Sequence, residues 1–173
     1  MDLAVLGGPD EGPVIQLDHE RFAYAGKFVM TSTGKAVVRE DDEVLGATAF
    51  NRDRTDDGWW IRYVTVRTDR RGEGIGPALL DFTATHLLDR GAEAVRIAVN
   101  NPFAYEACYK AGFGYTGRET GMAEVVLERP TTASAASYRA GLETLRAGRD
   151  LSAPERSFID EHLDRGPPDH GVG

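Results

Sequence analysis

The pattern of apolar and polar residues along the chain predicts a strand-rich first part, a mixed middle part and a helical end. Short runs of β-branched and aromatic residues between turn residues are typical of strands. Such runs lie at residues 14–17, 28–31, 36–39 and 44–50. The strongest run, Trp-Trp-Ile-Arg-Tyr-Val-Thr-Val at residues 59–66, predicts a central strand.

Helical periodicity begins after this strand. Residues 78–90 carry leucine and phenylalanine at helical spacing, which predicts an amphipathic helix with a broad apolar stripe. Gly112 is placed to end a further helix, since glycine is favoured just past a helix C-terminus. The other elements predicted in this part are a short strand, that helix and a closing hairpin, at residues 95–99, 102–111, 113–118 and 123–128.

Two more helical patterns follow Pro130. They span residues 134–147 and 154–163 and are joined through Gly148, with Ser152 placed as a cap. Their apolar residues are enough to pack the pair against the body of the protein, so a stabilising cover is the plainest interpretation. A contact between two copies in a homodimer and a lid over a substrate site stay open as alternatives.

These elements divide the chain into four predicted segments. A flexible lead-in at residues 1–12 contains glycine, proline and acidic residues, which are typical of a poorly ordered terminus. The main domain covers residues 13–129, and a helical extension covers residues 130–164. A flexible tail rich in glycine and proline occupies residues 165–173.

Composition and charge argue against several classes of function. The 173 residues suit one domain with an appendage. A formal net charge of −8 makes nucleic-acid binding unexpected, because that function needs clustered lysine and arginine. The four histidines lie far apart without metal-ligand spacing, so we expect no metal site.

The sequence favours a cytoplasmic location. No apolar run is long enough to cross a bilayer, and the first residues lack the basic and apolar regions of a signal peptide. Cys108 is the single cysteine, so we expect no internal disulfide and a reducing compartment. We therefore expect neither a membrane nor a nucleic acid among the partners.

The most informative segment is the run Arg-Arg-Gly-Glu-Gly-Ile-Gly at residues 70–76, between the central strand and the helix after it. Glycine at alternate positions lets successive backbone N–H groups point towards one place, and the dipole of a following helix adds positive potential there. An anion is the natural occupant of such a place. The first inference is therefore a phosphate-binding loop.

Three kinds of phosphate loop compete for this segment. A P-loop would need Gly-Lys-Ser/Thr, but Pro77 and Ala78 follow the last glycine. A dinucleotide fingerprint begins well at Gly74, but Leu79 stands where its third glycine belongs. The pattern Arg/Gln-x-x-Gly-x-Gly/Ala, which binds a pyrophosphate, is matched at every fixed position by residues 71–76.

Residues 71–76 resemble the acetyl-CoA pyrophosphate loop of the GNAT superfamily of N-acetyltransferases. A second stretch resembles a later motif of that family, with a strand, Asn-x-x-Ala at residues 101–104, a helix, and then Gly112 and Phe113. The resemblance covers roughly residues 13–129. Two motifs at the family's usual separation are more specific than either motif alone.

The resemblance implies a fold and an acyl donor. The fold is a mixed α/β (α+β) architecture, in which helices flank a largely antiparallel twisted sheet, extended here by the C-terminal helical pair. The donor is acetyl-CoA, used as a substrate without a metal. The residues that the resemblance assigns to coenzyme binding are Val64, Thr65, Val66, Arg71, Gly72, Glu73, Gly74, Ile75, Gly76 and Asn101.

The resemblance also implies direct transfer of the acetyl group to a primary amine in a ternary complex. The amine belongs to a small molecule or a peptide that the sequence does not identify. A backbone N–H near Val66 is the family's usual donor to the oxyanion formed in the reaction. The alternative function is a non-catalytic module that holds acyl-CoA as a sensor or docks a partner.

Two side chains compete for the role of acid towards the leaving thiolate. The family's tyrosine for this role usually lies four residues before the glycine of Gly-Phe, a position that Cys108 occupies here, and Tyr109 follows it. Neighbouring residues on a helix point about 100° apart, so both side chains cannot face the same sulfur. We favour Tyr109 because a phenol is the family's group, while Cys108, or no acid at all, stays open.

No residue is assigned as the general base. Trp60 stands at the central-strand position where some relatives carry glutamate. The other candidates all have a plainer interpretation as solvated or hydrogen-bonded residues, and they are His19, Glu20, Tyr63, Glu106 and Glu124.

The acceptor side departs from the family's pattern. Residues 19–34 lack the helical period of the two helices that the family places after its first strand. Tyr24 and Phe22 in this segment are candidates for lining an acceptor pocket, although core packing is the plainer interpretation of both. Arg62, expected to share a strand face with Trp60 and Val64, is a candidate for orienting an anionic group of the acceptor or for pairing with a carboxylate.

Overall fold

The computed structural model describes residues 1–53, 55, 58–121, 123–148 and 150–169. The chain forms two compact units, Met1–Val95 and Arg96–Gly173. The first unit carries the predicted phosphate loop. The second unit carries the Asn-x-x-Ala motif and the C-terminal helical pair.

The first unit combines four antiparallel strands with one long helix. Each of these strands pairs with the next along the chain. The elements are β1 (Asp2–Gly7), β2 (Gly34–Glu40), β3 (Glu43–Arg52), β4 (Trp59–Val66) and α1 (Ile75–Asp89). Three short 3-10 helices lie at Pro9–Glu11, Ala25–Val29 and Thr68–Arg70.

A two-residue turn joins β2 to β3. Asp41 and Asp42 both lie in the left-handed region, with φ of 53° and 65°. Two such residues in succession are typical of the hairpin turn whose twist matches the paired strands. The turn sets Glu40 opposite Glu43 in the register of the hairpin. Both carboxylates are available to arginines near the start of α1.

The two faces of this sheet pack differently. On one face α1 lies against β3, where the hydroxyls of Thr48 and Thr83 hydrogen-bond at 2.8 Å. On the other face the irregular segment 13–33 contributes to an apolar core. The buried members of that core are Ile15, Phe28, Val37, Ala47 and Ala49. Within this segment the structure shows a short 3-10 helix and no long helix, in line with the missing helical period. The strands predicted at residues 14–17 and 28–31 are wrong, because these short apolar runs supply core side chains such as Ile15 and Phe28 without pairing in the sheet.

Lys35 anchors the irregular segment to the sheet. Its side chain is 0 % exposed, and its ammonium donates to the backbone carbonyls of Pro13, Met30 and Thr33 at 2.7, 2.7 and 3.0 Å. Burial lowers the pKa of this amine, because water no longer solvates the charge. The hydrogen bonds offset part of that loss and hold both ends of the segment.

The first residues form a strand where the sequence predicted a flexible lead-in over residues 1–12. β1 pairs antiparallel with β2, with Asp2 opposite Arg39. The signal for this strand is the short apolar run at residues 3–6. The glycines and proline that suggested disorder instead end the strand and begin the 3-10 helix Pro9–Glu11.

The second unit combines a strand, a hairpin and three helices. β5 (Val95–Val99) spans the boundary between the units. The remaining elements are α2 (Pro102–Lys110), β6 (Gly114–Glu119), β7 (Val125–Arg129), α3 (Ala135–Ala147) and α4 (Ala153–Arg165). β6 and β7 pair antiparallel, in agreement with the predicted closing hairpin.

The C-terminal helices begin at the serines that the sequence offers as caps. The Ser134 hydroxyl accepts the N–H of Ser137, and the Ser152 hydroxyl accepts that of Glu155, both at 3.2 Å. The Glu155 carboxylate accepts the Ser152 N–H in return at 3.0 Å, which completes a capping box. These caps explain why the predicted and observed helix starts agree closely.

The helical pair packs against α2 within its unit. Gly141 of α3 leaves room for the Tyr105 ring, because a Cβ at this glycine would clash with the tyrosine hydroxyl. That hydroxyl donates to the Tyr138 carbonyl at 2.9 Å, and the Tyr138 hydroxyl donates to the Glu106 carboxylate at 2.5 Å. The pair therefore belongs to the core of the second unit, as a stabilising cover would.

The described residues form seven strands and four α-helices with antiparallel strand pairs, which confirms the predicted mixed α/β fold. None of the helices in the described ranges is long and apolar enough to cross a membrane. Of the predicted tail, Arg165 is the last residue of α4. Residues 170–173 lie outside the described part.

Replacing Lys35 by methionine tests its role as an anchor. Lys35→Met keeps most of the side-chain volume but leaves three carbonyls without their donor. We expect the free energy of unfolding to fall by about 1–3 kcal/mol. Urea denaturation followed by circular dichroism measures it. Lys110→Met at an exposed position is the matched control, and equal stability of the two variants would contradict the anchoring role.

Candidate functional site

The loop predicted to bind phosphate leads from β4 into α1. A 3-10 turn, Thr68–Arg70, follows the strand. Gly72 and Gly74 then adopt φ of 81° each, a region that glycine enters without a steric penalty. Gly74 is the N-cap of α1 and provides no side-chain hydrogen bond to the first turn.

The first backbone N–H groups of α1 have no carbonyl within the helix to which they can donate. The Ala78 N–H donates to the Gly74 carbonyl at 3.2 Å, which begins the helical ladder. The N–H groups of Ile75 and Gly76 precede it, and Pro77 has no N–H to satisfy. The helix dipole adds positive potential at the same end. These features suit an anion.

Open space lies beside two of the loop glycines. A Cβ at Gly72 or Gly74 would have no atom within 4 Å. Packing therefore does not require glycine at these two positions. The positive φ is what favours glycine there. At Gly76 a Cβ would meet Val66 Cγ2 at 3.6 Å, an ordinary contact.

Arg70 pairs with the acidic residue inside the loop. Its Nε donates to both carboxylate oxygens of Glu73 at 3.1 and 3.0 Å, and its Nη1 donates to Glu40 at 3.0 Å. The hydrogen bond and charge of Arg70 hold the pKa of the Glu40 carboxyl below its ordinary value. An unpaired carboxylate in an anion-binding loop would repel the ligand. The sequence pattern did not single out Arg70, because Glu40 lies 30 residues away along the chain.

A second arginine fixes the chain just before the loop. The buried Arg67 guanidinium donates to Asp69 at 2.6 Å and to Glu43 at 3.2 Å. The hydrogen bond from Arg67 lowers the pKa of the Asp69 carboxyl. The Arg67 N–H donates to the Leu45 carbonyl at 2.8 Å, so side chain and backbone together tie this point to β3.

Arg71 is the exposed cation of the loop. It forms no ion pair with any residue in the described ranges, whereas Arg67 and Arg70 contact two carboxylates each. A guanidinium matches phosphate oxygens in bidentate geometry. Arg71 and the N–H groups at the start of α1 therefore form a donor set that fits a pyrophosphate.

The three residues that end β4 alternate between the two faces of the sheet. Val64 and Val66 lie on the α1 face, where Val64 pairs with Thr48. Thr65 lies on the opposite face and is 4 % exposed. Its hydroxyl has no hydrogen-bond partner in the part of the chain that the structure describes. A buried hydroxyl without a partner is unfavourable by about 1–3 kcal/mol, so a bound molecule that supplied one would be favoured here.

A bulge interrupts β4 at Arg62, which has no partner residue in the register with β3. Its guanidinium lies 5.1 Å from the Trp60 ring centroid, and its Nε donates to Asn51 at 2.7 Å. The alternation of side chains shifts at a bulge. Arg62 therefore shares a face with Trp60 but not with Val64, contrary to the expectation from strict alternation.

In the second unit, Asn101 is the N-cap of α2. Its side-chain oxygen accepts the Ala104 N–H at 2.9 Å, and its amide nitrogen donates to Asn100 at 3.4 Å. Pro102 follows in the first helical turn, where its missing N–H has no consequence. The Asn-x-x-Ala motif thus has a local structural role. A contact between Asn101 and the coenzyme stays a prediction.

Both candidates for the acid are buried in the second unit. Cys108 is 0 % exposed, and burial raises the pKa of its thiol. The Tyr109 ring lies 5.0 Å from Tyr105 and 4.8 Å from Tyr138 between centroids, and its phenol oxygen accepts the Tyr115 N–H at 2.8 Å. Burial also raises the pKa of Tyr109. Both groups are therefore protonated at neutral pH.

The candidate bases have structural partners or lie at the surface. Glu106 accepts the Tyr138 hydroxyl in the core of the second unit. Glu124 accepts a threonine hydroxyl at 3.1 Å. His19 and Glu20 are exposed. No base is assigned on this geometry, and no group of His, Cys, Asp and Glu side chains in the described ranges could hold a metal ion.

The sequence model of the acetyltransferase (GNAT) family matches residues 9–115, which is more than half of the chain. The chain belongs to the GNAT acetyltransferase family. This confirms the family inferred from the two motifs and the enzyme class that it implies, an acetyl-CoA-dependent acyltransferase. No curated protein sequence matches the chain.

Solved structures with a similar fold are also acetyltransferases. A Bacillus subtilis acetyltransferase in complex with CoA has a TM-score of 0.51 and 16 % identity, covering 56 % of this chain and 75 % of that one. Aminoglycoside 6′-acetyltransferase type Ii has a TM-score of 0.50 and 16 % identity, covering 61 % of this chain and 73 % of that one. Nourseothricin acetyltransferase has a TM-score of 0.49 and 20 % identity, covering 56 % of this chain and 64 % of that one. At these identities the likeness concerns the fold alone.

Two glycine variants separate backbone strain from ligand binding. Gly74→Ala and Gly91→Ala each place a Cβ at a positive φ, of 81° and 98°, with no atom within 4 Å. Each should lower stability by about 1–2 kcal/mol. Only Gly74→Ala should also weaken binding of CoA, by about tenfold, because only this glycine lies in the loop.

Thermal unfolding measures the stability of the two variants, and isothermal titration calorimetry measures their affinity for CoA. Equal affinity in Gly74→Ala and Gly91→Ala would be evidence against pyrophosphate binding at this loop.

Proposed function

We propose that the protein moves an acetyl group from acetyl-CoA to a primary amine by direct attack within a ternary complex. The observation that supports this most strongly is the donor set of the loop at residues 71–76. It combines two glycines at positive φ, the free N–H groups of the first turn of α1, and the exposed guanidinium of Arg71. Glu73 contributes its backbone, since Arg70 holds its carboxylate.

The end of β4 has the backbone groups that can bind the rest of acetyl-CoA, beyond its pyrophosphate. In this proposal Val64, Thr65 and Val66 pair with the pantetheine arm through their backbone. An N–H near Val66 stabilises the oxyanion that forms when nitrogen attacks the thioester carbon. Asn101 makes a further contact with the coenzyme.

The amine must lose a proton before it attacks. An alkylammonium has a pKa of about 10.4, so about one molecule in a thousand is a free amine at neutral pH. Desolvation of the ammonium in the site lowers that pKa, and a water-linked carboxylate can take the proton. The nitrogen then forms a bond to the acetyl carbon and loses a second proton to solvent, the carbon–sulfur bond breaks, and the thiolate leaves.

We assign protonation of the leaving thiolate to Tyr109, with Cys108 as the alternative. The Tyr109 oxygen accepts the Tyr115 N–H, which leaves its own hydrogen to donate. Its raised pKa keeps that hydrogen in place at neutral pH. The raised pKa of the Cys108 thiol also keeps that thiol protonated, but Cys108 has no exposed surface.

The proposal extends to the organisation of the chain. The acetyltransferase domain occupies residues 13–129, and the extension at residues 130–164 stabilises it by packing on α2. The acceptor is a small molecule or a peptide, and the location is cytoplasmic, as the single cysteine suggests.

The second candidate function is a non-catalytic module that binds acyl-CoA. The observation that favours it is the complete burial of Cys108, the residue at the family's acid position. Trp60 at the position of the family's glutamate favours it further. Such a module keeps the loop and lacks turnover.

Release of the CoA thiol in the presence of acetyl-CoA and a panel of amines tests the proposed function. We expect amine-dependent release, and Arg71→Gln should raise the KM for acetyl-CoA about tenfold because it removes the cation of the loop. Arg118→Gln, at another exposed arginine, is the matched control. The thiol of Cys108 adds little background to the detection of the CoA thiol, because it is buried.

Tight binding of CoA without turnover on any amine would favour the module, and no binding of CoA would contradict both functions.

Tyr109→Phe tests the acid. Loss of the phenolic hydrogen should lower kcat about 100-fold at pH 7, while the KM for acetyl-CoA stays nearly constant. Tyr115→Phe removes a hydroxyl from the same aromatic cluster and is the matched control. Steady-state kinetics measure both variants, with thermal unfolding as a check on folding. An unchanged kcat in Tyr109→Phe, together with a loss in Cys108→Ala, would assign the role to Cys108.

A further inference from the structure

Three side chains of the first unit form a small aromatic and cationic patch on the sheet face away from α1. Tyr63 of β4 lies opposite Ala49 in the strand register. Its ring centroid lies 5.7 Å from that of Tyr24, and the Lys27 ammonium lies 5.6 Å from it. We call Tyr24, Lys27 and Tyr63 the tyrosine patch. A cation at this distance from a ring face is attracted by the π electrons.

The 3-10 helix that begins at Ala25 sets the geometry of the patch. A 3-10 helix has about three residues per turn, so side chains three residues apart line up. Ala25 and Phe28 form one row, which is buried in the core. Tyr24 precedes the helix as its N-cap, and the Lys27 N–H donates to the Tyr24 carbonyl at 2.9 Å. The buried row fixes this turn on the sheet, where the side chains of Tyr24 and Lys27 both lie beside the Tyr63 ring.

The backbone of Tyr24 is in an unusual conformation for a residue with a side chain. Its φ of 60° and ψ of 21° lie in the left-handed region, which costs about 1–2 kcal/mol outside glycine. The side chain is 55 % exposed, so burial does not offset this, and the expectation of core packing is not met. The Tyr24 side chain instead contacts the Tyr63 ring.

The Thr65 hydroxyl lies on the same face of β4, two residues beyond Tyr63. Two residues along a strand correspond to about 7 Å. The hydroxyl is buried and lacks a hydrogen-bond partner among the residues that the structure describes. This face of β4 therefore offers an aromatic ring for a cation and an unsatisfied hydroxyl for an N–H group.

We propose that the tyrosine patch binds a second ammonium group of the acceptor, one that is not acetylated, and that Lys27 occupies the patch until the acceptor replaces it. This rests on the proposed function, since it names the class of amine that the same enzyme acetylates. Lys27 itself carries a primary ammonium at the end of a flexible methylene chain, and the patch accommodates it. The acceptor class is therefore a primary alkylamine whose chain carries a second ammonium group, for example an aliphatic diamine.

Lys27 can leave the patch at little cost. Its side chain is exposed, and the contact with the Tyr63 ring is its one polar side-chain contact among the described residues. An alkylammonium that also reaches the Thr65 hydroxyl gains a hydrogen bond that Lys27 does not make. An arylamine, which is uncharged at neutral pH, gains nothing from the cation–π contact.

Two substitutions of Tyr63 form a matched pair, with cadaverine as the acceptor and aniline as the uncharged comparison. Tyr63→Phe keeps a ring face, whereas Tyr63→Leu removes it. The KM for cadaverine should rise about fivefold in Tyr63→Leu and change less than about twofold in Tyr63→Phe. The kcat/KM for aniline should change by the same factor in both variants.

Lys27→Met removes the competing ammonium and keeps the length of the side chain. The KM for cadaverine should then fall by about two- to fivefold, because the acceptor no longer displaces a bound cation. Lys110→Met is the control for loss of an exposed lysine elsewhere. A binding titration of cadaverine by calorimetry gives the same ranking without turnover.

The outcomes separate this proposal from the proposed function. Acetyl transfer to cadaverine with equal KM in Tyr63→Leu and Tyr63→Phe, or with no decrease in Lys27→Met, would overturn the patch and leave the transferase intact. Binding of CoA and of cadaverine in the expected ranking without turnover would support the patch and overturn the transferase. Failure of cadaverine to bind at all would overturn the patch.

Discussion

The first turn of α1 begins with N–H groups that no helical carbonyl accepts, and the surrounding part of the first unit is arranged to keep them available. Gly74 caps the helix without a side chain, so the N-cap residue does not satisfy these donors as a serine cap would. Ser134 and Ser152 do this for α3 and α4. The contrast within one chain shows that an uncapped start is a particular property of α1. Such a start is suited to an anion.

An acidic protein needs local control of charge to bind an anionic coenzyme. The chain carries a formal charge of −8, and Glu73 lies inside the loop itself. Arg70 pairs with Glu73 and Glu40, and Arg67 pairs with Asp69 and Glu43, so each arginine offsets part of the negative charge of two carboxylates. Arg71 and the helix dipole then set the potential that a pyrophosphate meets. The two buried or partly buried arginines thus act through the carboxylates they hold rather than through the ligand.

The elements closest to the loop could be predicted because their signals are local. The aromatic and β-branched run of β4, the alternating glycines and the apolar stripe of α1 each lie within about ten consecutive residues, and the structure has all three. The helix starts earlier than predicted, at Ile75, because glycine and proline in the first turn hid its beginning. The serine caps are local signals of the same kind, so the starts of the two C-terminal helices could also be predicted.

Features that depend on distant residues could not be read from the sequence. β1 exists because β2 offers it a partner, although its apolar run is short. Lys35 resembles a surface lysine until the carbonyls of Pro13 and Met30 are brought to it. The bulge at Arg62 changes which side chains of β4 share a face, and no local signal marks it. The burial of Cys108 and Tyr109 likewise depends on packing by α3 and the hairpin.

Nuclear magnetic resonance of nitrogen-15-labelled protein during a titration with CoA tests the central claim most directly. The claim is that the amides of the turn into α1 bind the two phosphoryl groups of the coenzyme. The account predicts that the backbone signals of Gly72, Gly74 and Gly76 shift most and saturate together. If these signals stay in place while CoA binds, or if the largest shifts occur at Gly91 and Gly117 instead, the account is contradicted.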